Sequence, residues 1–209
     1  MAFTARTEVY GDAASITTPF QVTVSNPTGT ANGDIQFTVI CTNSGTVTTN
    51  AAWSLLGSNV ANADKYYLFI RKWTTGDPTS YVWTLSASTK YRITSCTYTA
   101  GDFRVNTPYW EVVSNTEYRT AGTPCRAAAM VTAHANCPLL YFGCVYSTSA
   151  KTWTKPANIG SDAWVDDDDA GNTNSDFYVQ VASMIWTGSG STGDIDGTIS
   201  ATATTKHAF

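Results

Sequence analysis

The densest run of chemistry-bearing side chains is DDDDAGNTNSD, from Asp166 to Asp176, two residues after Trp164. Clustered carboxylates beside Asn and Ser oxygens suit a hard cation such as calcium. An EF-hand loop needs an acid or Asn at its fifth position and Glu at its twelfth. Counting from Asp166, those places hold Ala170 and Phe177, so that motif fails. The run reads first as a solvated acidic loop. Its candidate calcium ligands are Asp166, Asp167, Asp168 and Asp169, and no other cofactor is implied. Gly193-Asp194-Ile195-Asp196-Gly197 is a second acidic turn, read as a hairpin.

Nucleophilic catalysis has less to work with. His134 closes an Ala-rich segment with no carboxylate near it in sequence, and His207 is the third residue from the end. There is no G-x-S-x-G elbow, and GSGSTG (188–193) reads as a loop. Two histidines cannot make a three-histidine metal set. A glycosidase needs two placed carboxylates, and nothing singles out a pair among Glu8, Glu111, Glu117 and the aspartates. The expectation is a protein without enzymatic activity. A hydrolase would require two aspartates in one cleft.

Tryptophan offers a flat apolar face to sugars and to protein partners alike. Of the seven, Trp53 and Trp153 follow the first strand of each half and read as core. Trp164, beside the acidic run, and Trp110 are the candidates for contact with a ligand or partner. Five cysteines with no CxxC spacing are poor material for a zinc site or a disulfide framework. Cys41, Cys96 and Cys144 sit in apolar runs and read as small buried hydrophobes. Cys125 and Cys137 are the one pair worth testing for a bond.

Strands must carry these residues. Period-two alternation runs through FQVTVS (20–25), DIQFTVICT (34–42), YRITSCTYT (91–99) and DFYVQVASMIW (176–186), the pattern of half-buried strands. Turn signals punctuate them at Asn26-Pro27, Asn32-Gly33-Asp34, Gly76-Asp77-Pro78, Gly188-Ser189-Gly190 and Gly193-Asp194. Arg126–Ala135 is Ala-rich, but the flanking Pro residues favour a strand. Asn59–Asp64 has room for one short helical turn.

The pattern occurs twice. Residues 34–88 give an apolar strand, a Trp-containing turn, a second aromatic strand, a Gly loop and a third strand, and residues 139–204 repeat that order with longer loops. Phe37 answers to Phe142, Tyr67 to Tyr178, and Thr84-Leu85-Ser86-Ala87 to Thr198-Ile199-Ser200-Ala201. Neither half covers its own apolar face unaided, which argues for one continuous β-sandwich domain over 1–209. Its pseudo-repeats span about 20–100 and 125–209, with 101–124 as a crossover. The fold class expected is all-β, a jelly-roll-like sandwich of two pseudo-repeated units.

Composition narrows the partners. The chain of 209 residues is 13% charged and 12% aromatic, with net charge -4 and pI about 5.0. That excludes a disordered chain and leaves no basic footprint for nucleic acid. No basic amphipathic helix or long apolar run suits a membrane. The first residues, MAFTARTEVYGD, lack an apolar signal core, so export, if it occurs, is expected without a standard signal peptide, release by lysis as part of a virus particle being one such route.

Here the residues reach a family. PTGTANGD (27–34), Trp53-Ser54-Leu55-Leu56, Gly76-Asp77-Pro78 before Tyr81-Val82-Trp83-Thr84-Leu85, Thr97-Tyr98-Thr99-Ala100-Gly101-Asp102, Leu139-Leu140-Tyr141-Phe142-Gly143, Thr152-Trp153-Thr154-Lys155-Pro156-Ala157 and the GTISATAT strand resemble β-sandwich proteins of tailed-phage virion and tail genes. The likeness covers about residues 17–204 and carries no catalytic signature. It implies a virion structural protein on the particle surface, made in the host cytoplasm, that decorates or cements the capsid or forms part of the tail. Its partners would be copies of itself and other virion proteins. The alternative is a glycan-binding adhesin of a tail fibre that takes a host surface glycan.

One departure stands out. TLSAS in the first half is followed by the strand Tyr91–Thr99, whereas TISAT in the second is followed by TKHAF. The second half is therefore expected to lack its closing strand and to leave an open slot. Thr4, Arg6, Glu8 and Tyr10, on the alternating segment Thr4–Tyr10, are the edge-strand assembly candidates. Either that segment folds back into the slot, or a neighbouring subunit donates a strand.

Overall fold

The computed structural model describes residues 3–12, 19–48, 50–60, 63–87, 90–99, 124–171, 176–200 and 205–209, the side chains of Asp12 and of 166–171 excepted. The described architecture is all-β, without a helix, and its sheets are antiparallel. The described strands fall into two compact units.

The first unit holds β1 (Phe3–Asp12), β2 (Phe20–Ser25), β3 (Ile35–Thr42), β4 (Val47–Thr48), β5 (Ser54–Asn59), β6 (Lys65–Lys72), β7 (Ser80–Leu85) and β8 (Lys90–Tyr98). A large sheet runs β1-β8-β3-β6-β5 and a small one β2-β7-β4. The second unit holds β9 (Pro124–Ala127), β10 (Val131–Thr132), β11 (Cys137–Tyr146), β12 (Trp153–Thr154), β13 (Val165–Gly171), β14 (Phe177–Trp186), β15 (Gly190–Ser191), β16 (Ile195–Ile199) and β17 (Thr205–Ala208). Its large sheet runs β17-β11-β14-β13 and its small one β9-β16-β12, with β10 paired to β15 beside them.

The two orders correspond strand for strand, with β1 an addition in the first unit and the β10–β15 pair an addition in the second. Registers correspond too. Phe37 faces Ile70 and Cys96. Phe142 faces Val181 and exchanges two 3.0 Å backbone hydrogen bonds with Phe209. Leu85 faces Val47, and Ile199 faces Trp153.

Each unit packs a core between its two sheets. In the first, Phe20, Val22 and Val24 of β2 and Tyr81, Trp83 and Leu85 of β7 meet Ile40, Tyr67, Phe69 and Ile93 of the large sheet. Trp83 is its centre, 4.7 Å from the Phe69 ring and 5.5 Å from Trp53, at spacings where aromatic pairs attract. In the second unit the residue matching Trp83 is Gly197. Tyr141 of the large sheet crosses to the small one and fills that space, and its hydroxyl donates to the Cys125 carbonyl at 2.6 Å. A Cβ at Gly197 would lie 2.4 Å from the Tyr141 Oη, and one at Gly143 would lie 2.7 Å from it. The two glycines are the space the tyrosine needs.

Several expectations change here. Phe20–Ser25 alternates buried and exposed as expected, but all eight residues of β3 are buried. Arg126–Ala135 is not one strand. β9 stops at Ala127, because Asp194 and Thr192 accept hydrogen bonds from the Ala129 and Met130 amides at 3.2 and 3.0 Å. Those side chains take donors that a continuous strand would give to a neighbour. Asn59 closes β5, and the described part of Asn59–Asp64 forms no helical turn. The second repeat does have its closing strand, since β17 pairs with β11 from Gly143–Ala208 to Tyr146–Thr205. The segment carrying Thr4, Arg6, Glu8 and Tyr10 does not enter a slot in the second repeat, because as β1 it pairs with β8 of the first.

Candidate functional site

Three of the four assembly candidates on β1, Arg6, Glu8 and Tyr10, gather at one buried cation. Arg92 of β8 is fully buried and lies opposite Tyr10 in the register. Its Nη1 donates to Glu8 Oε2 at 2.9 Å, and its guanidinium carbon sits 5.0 Å from the Tyr10 ring centre. Burial holds the Arg92 guanidinium below its ordinary range. Glu8 opposes that shift, and the like charge of Arg6 adds to it. Arg6 and Glu8, two residues apart, share the strand face that carries Arg92. Thr4 is half-buried at the start of the strand. This arrangement clamps an edge strand to its sheet; it presents no nucleophile and no acid–base pair.

Removing one partner of that pair leaves a buried charge under-compensated. Because Glu8 is 26% exposed, the cost sits below that of a fully buried pair. Glu8→Gln is expected to lower unfolding free energy by about 1–2 kcal/mol, read as a shift in the urea midpoint at constant slope. An unchanged midpoint would refute the clamp.

The other charged clusters also tie backbone together. Arg71 of β6 stacks 4.5 Å from the Tyr81 ring centre and 5.6 Å from that of Trp53, and forms an ion pair with Asp77. Burial lowers its pKa, with Asp77 working the other way. Partial burial pushes the Asp77 carboxyl up, but hydrogen bonds from Thr74 and the Arg71 charge outweigh it and hold the group below its usual range. In the second unit Arg126 grips Asp196 through Nε and Nη2 at 2.7 and 2.6 Å, and reaches Asp194 at 2.9 Å. Sequence reading treated Gly76-Asp77-Pro78 and Gly193–Gly197 as turns alone. The available signal was an arginine in a strand that a turn could return to.

The remaining candidates separate. Trp164 is 1% exposed and packs edge-on to Tyr141 at 6.4 Å, so it is a core residue and not a contact surface. It directly precedes β13, as Trp53 directly precedes β5, so Trp164 rather than Trp153 is the counterpart of Trp53. Trp153 lies in β12, where the first unit has Val47. Trp110 lies outside the described residues.

The backbone of Asp166, Asp167, Asp168 and Asp169 forms β13 at the edge of the large sheet, not a loop, with a bulge between Asp166 and Asp168. Their side chains lie outside the described residues. No group of three or more His, Cys, Asp or Glu side chains that could hold a metal occurs among the described residues.

All five cysteines are free thiols, Cys125 and Cys137 included. Cys125 donates to the His207 carbonyl at 3.0 Å, and burial pushes its thiol up to about 11, which leaves it unreactive. His134 is exposed, and His207 is fully buried.

No protein-family model, no curated protein and no solved structure matches this chain.

Proposed function

We propose that the chain is a non-enzymatic structural protein of a tailed-phage particle, decorating or cementing the capsid or forming part of the tail surface. The observation that carries the reading is how the charged groups are used. Arg92 with Glu8, Arg71 with Asp77, and Arg126 with Asp196 each tie a strand or turn in place. Side chains committed in this way make a rigid shell component, not a reaction centre. The resemblance of the Trp, Gly-Asp-Pro and TWTKPA segments to virion sandwiches supplies the particle. Its partners are copies of itself and other virion proteins, and its place is the particle surface after synthesis in host cytoplasm. The glycan-binding alternative loses Trp164, one of its two named platforms, to the core.

Particles made without this chain are expected to lose infectivity at a lower temperature than complete ones, and to recover when the purified protein is added back. The measurement is surviving titre after a heat step, with mass spectrometry of purified particles alongside. Complete particles that contain none of the chain would end this reading.

A further inference from the structure

We propose that the first unit binds ordered water inside its core, on a polar node made by Gln36 of β3, Arg71 of β6 and Tyr81 of β7, and that this water links the two sheets.

The three side chains share one space. Gln36 and Arg71 are register partners on neighbouring strands. Gln36 lies four residues before Ile40, on the strand face that meets the small sheet. Arg71 stands on the face of Tyr67 and Phe69, with its guanidinium carbon 4.5 Å from the Tyr81 ring centre. All three are enclosed: Gln36 is 0% exposed, Arg71 7% and Tyr81 5%. Nη2 of Arg71 is engaged by Asp77 and by the Lys72 carbonyl. Arg71 Nε and Nη1, both amide atoms of Gln36 and the Tyr81 hydroxyl are buried and have no hydrogen-bond partner among the described residues. Polar atoms gathered in a core are costly to leave unpaired, and native cores pair them with protein or with water.

The second unit builds the same fold without this node. Counting from the paired registers, Tyr141, Ala182 and Ile195 hold the places of Gln36, Arg71 and Tyr81. Tyr141 crosses between the sheets directly, with its hydroxyl on the Cys125 carbonyl at 2.6 Å. Gln36 is shorter, and Trp83 stands where Gly197 gives Tyr141 room. A polar crossing in the first unit therefore needs a mediating molecule.

The groups present select water. Arg71 only donates, the Gln36 amide donates and accepts, and the Tyr81 hydroxyl does either. Water answers both kinds. An anion would accept from Arg71, but it would share that cation with Asp77 and bring net negative charge into a closed core. A buried water takes ~3 hydrogen bonds, so about two complete the node.

The first test is a crystal structure of the full chain at a resolution that orders water. Density is expected ~2.7–3.2 Å from Arg71 Nε and from a Gln36 amide atom, continuing to the Tyr81 hydroxyl. The second is a double-mutant cycle of Gln36→Met and Tyr81→Phe, changes that keep side-chain shape, read as urea midpoints. Gln36 and Tyr81 come from facing sheets. Water shared between them should make the midpoint loss of the double variant smaller than the sum of the single losses. A Gln36 amide bonded directly to Arg71 or Tyr81, with no density between, would overturn the proposal. So would additive midpoint losses, or bromide seated on Arg71 in crystals grown with that ion and identified by its anomalous signal.

Discussion

Gly197→Ala is expected to lower the unfolding free energy by about 3 kcal/mol, one of the two largest effects of any single change considered. The added methyl would sit 2.4 Å from the Tyr141 Oη and 2.8 Å from its Cζ, both inside contact distance. Tyr141 cannot retreat, because Gly143 and Trp153 close its other side and its hydroxyl is held by the Cys125 carbonyl. Overpacking a well-filled core costs roughly 1–3 kcal/mol. Displacing the hydroxyl from a buried partner adds about 1–3 kcal/mol. The measurement is a urea denaturation series on the full chain, with Gly76→Ala as comparison. Gly76 has a positive φ of 98° but nothing within 4 Å, so it reports backbone strain without crowding. Tyr141→Phe combined with Gly197→Ala should cost less than the sum of the single changes, because the closest clash is with the hydroxyl itself. Additive costs, or a Gly197→Ala chain as stable as the parent, would show that Tyr141 does not fill the place Trp83 fills in the first unit.

That exchange of Trp83 for a Gly–Tyr pair shows which parts of the fold were legible in the sequence. Strand existence and order were, because Phe20–Ser25 and Phe177–Trp186 alternate or run apolar between clear turn residues. Burial on both faces was not. Thr38 and Ser95 satisfy each other at 2.5 Å inside the large sheet, and hydroxyls paired in this way look like solvent-facing positions in a one-dimensional reading. The closing strand β17 was missed for a similar reason. TKHA has no apolar alternation, yet all four residues are buried, so tertiary pairing with β11 overrides local preference. The acidic run was assigned to a loop because aspartate is depleted in strands, but an edge strand is where such charge is tolerated. Of the candidate site, Glu8 and Tyr10 were placed on a strand, but Arg92, within the strand pattern Tyr91–Thr99, was not singled out. A buried arginine becomes visible only once the strand bearing its carboxylate lies beside it. Trp164 was placed outside because its neighbours in sequence are charged, whereas its neighbour in space is Tyr141.

His207 makes the strand that sequence reading overlooked a sensor of acid. It is fully buried in β17, and burial alone lowers its pKa from 6.5 to about 3. Above pH 6.5 the imidazole is neutral in both the folded and the unfolded chain, and the group leaves stability unchanged. As pH falls below 6.5, the unfolded chain takes up a proton that the folded one excludes. Unfolding is then favoured by up to ~1.4 kcal/mol for each pH unit. The loss accumulates until about pH 3, where the folded site protonates as well. Carboxylates such as Asp77, held below its usual range, add their own loss at the acid end. The informative quantity is therefore the difference between parent and variant. His207→Gln and His207→Phe should both unfold with a shallower dependence on pH between 6.5 and 3, whatever their stability at neutral pH. Hydrogen exchange at the amides of β11 and β17, compared at pH 6.5 and pH 4.5, should show the parent's ladder opening before β3 and β8 of the first unit, where Thr94 holds the matching place. Parallel stability curves for parent and both variants would mean that His207 is protonated in the folded chain, and that β17 is open to water rather than closed on β11.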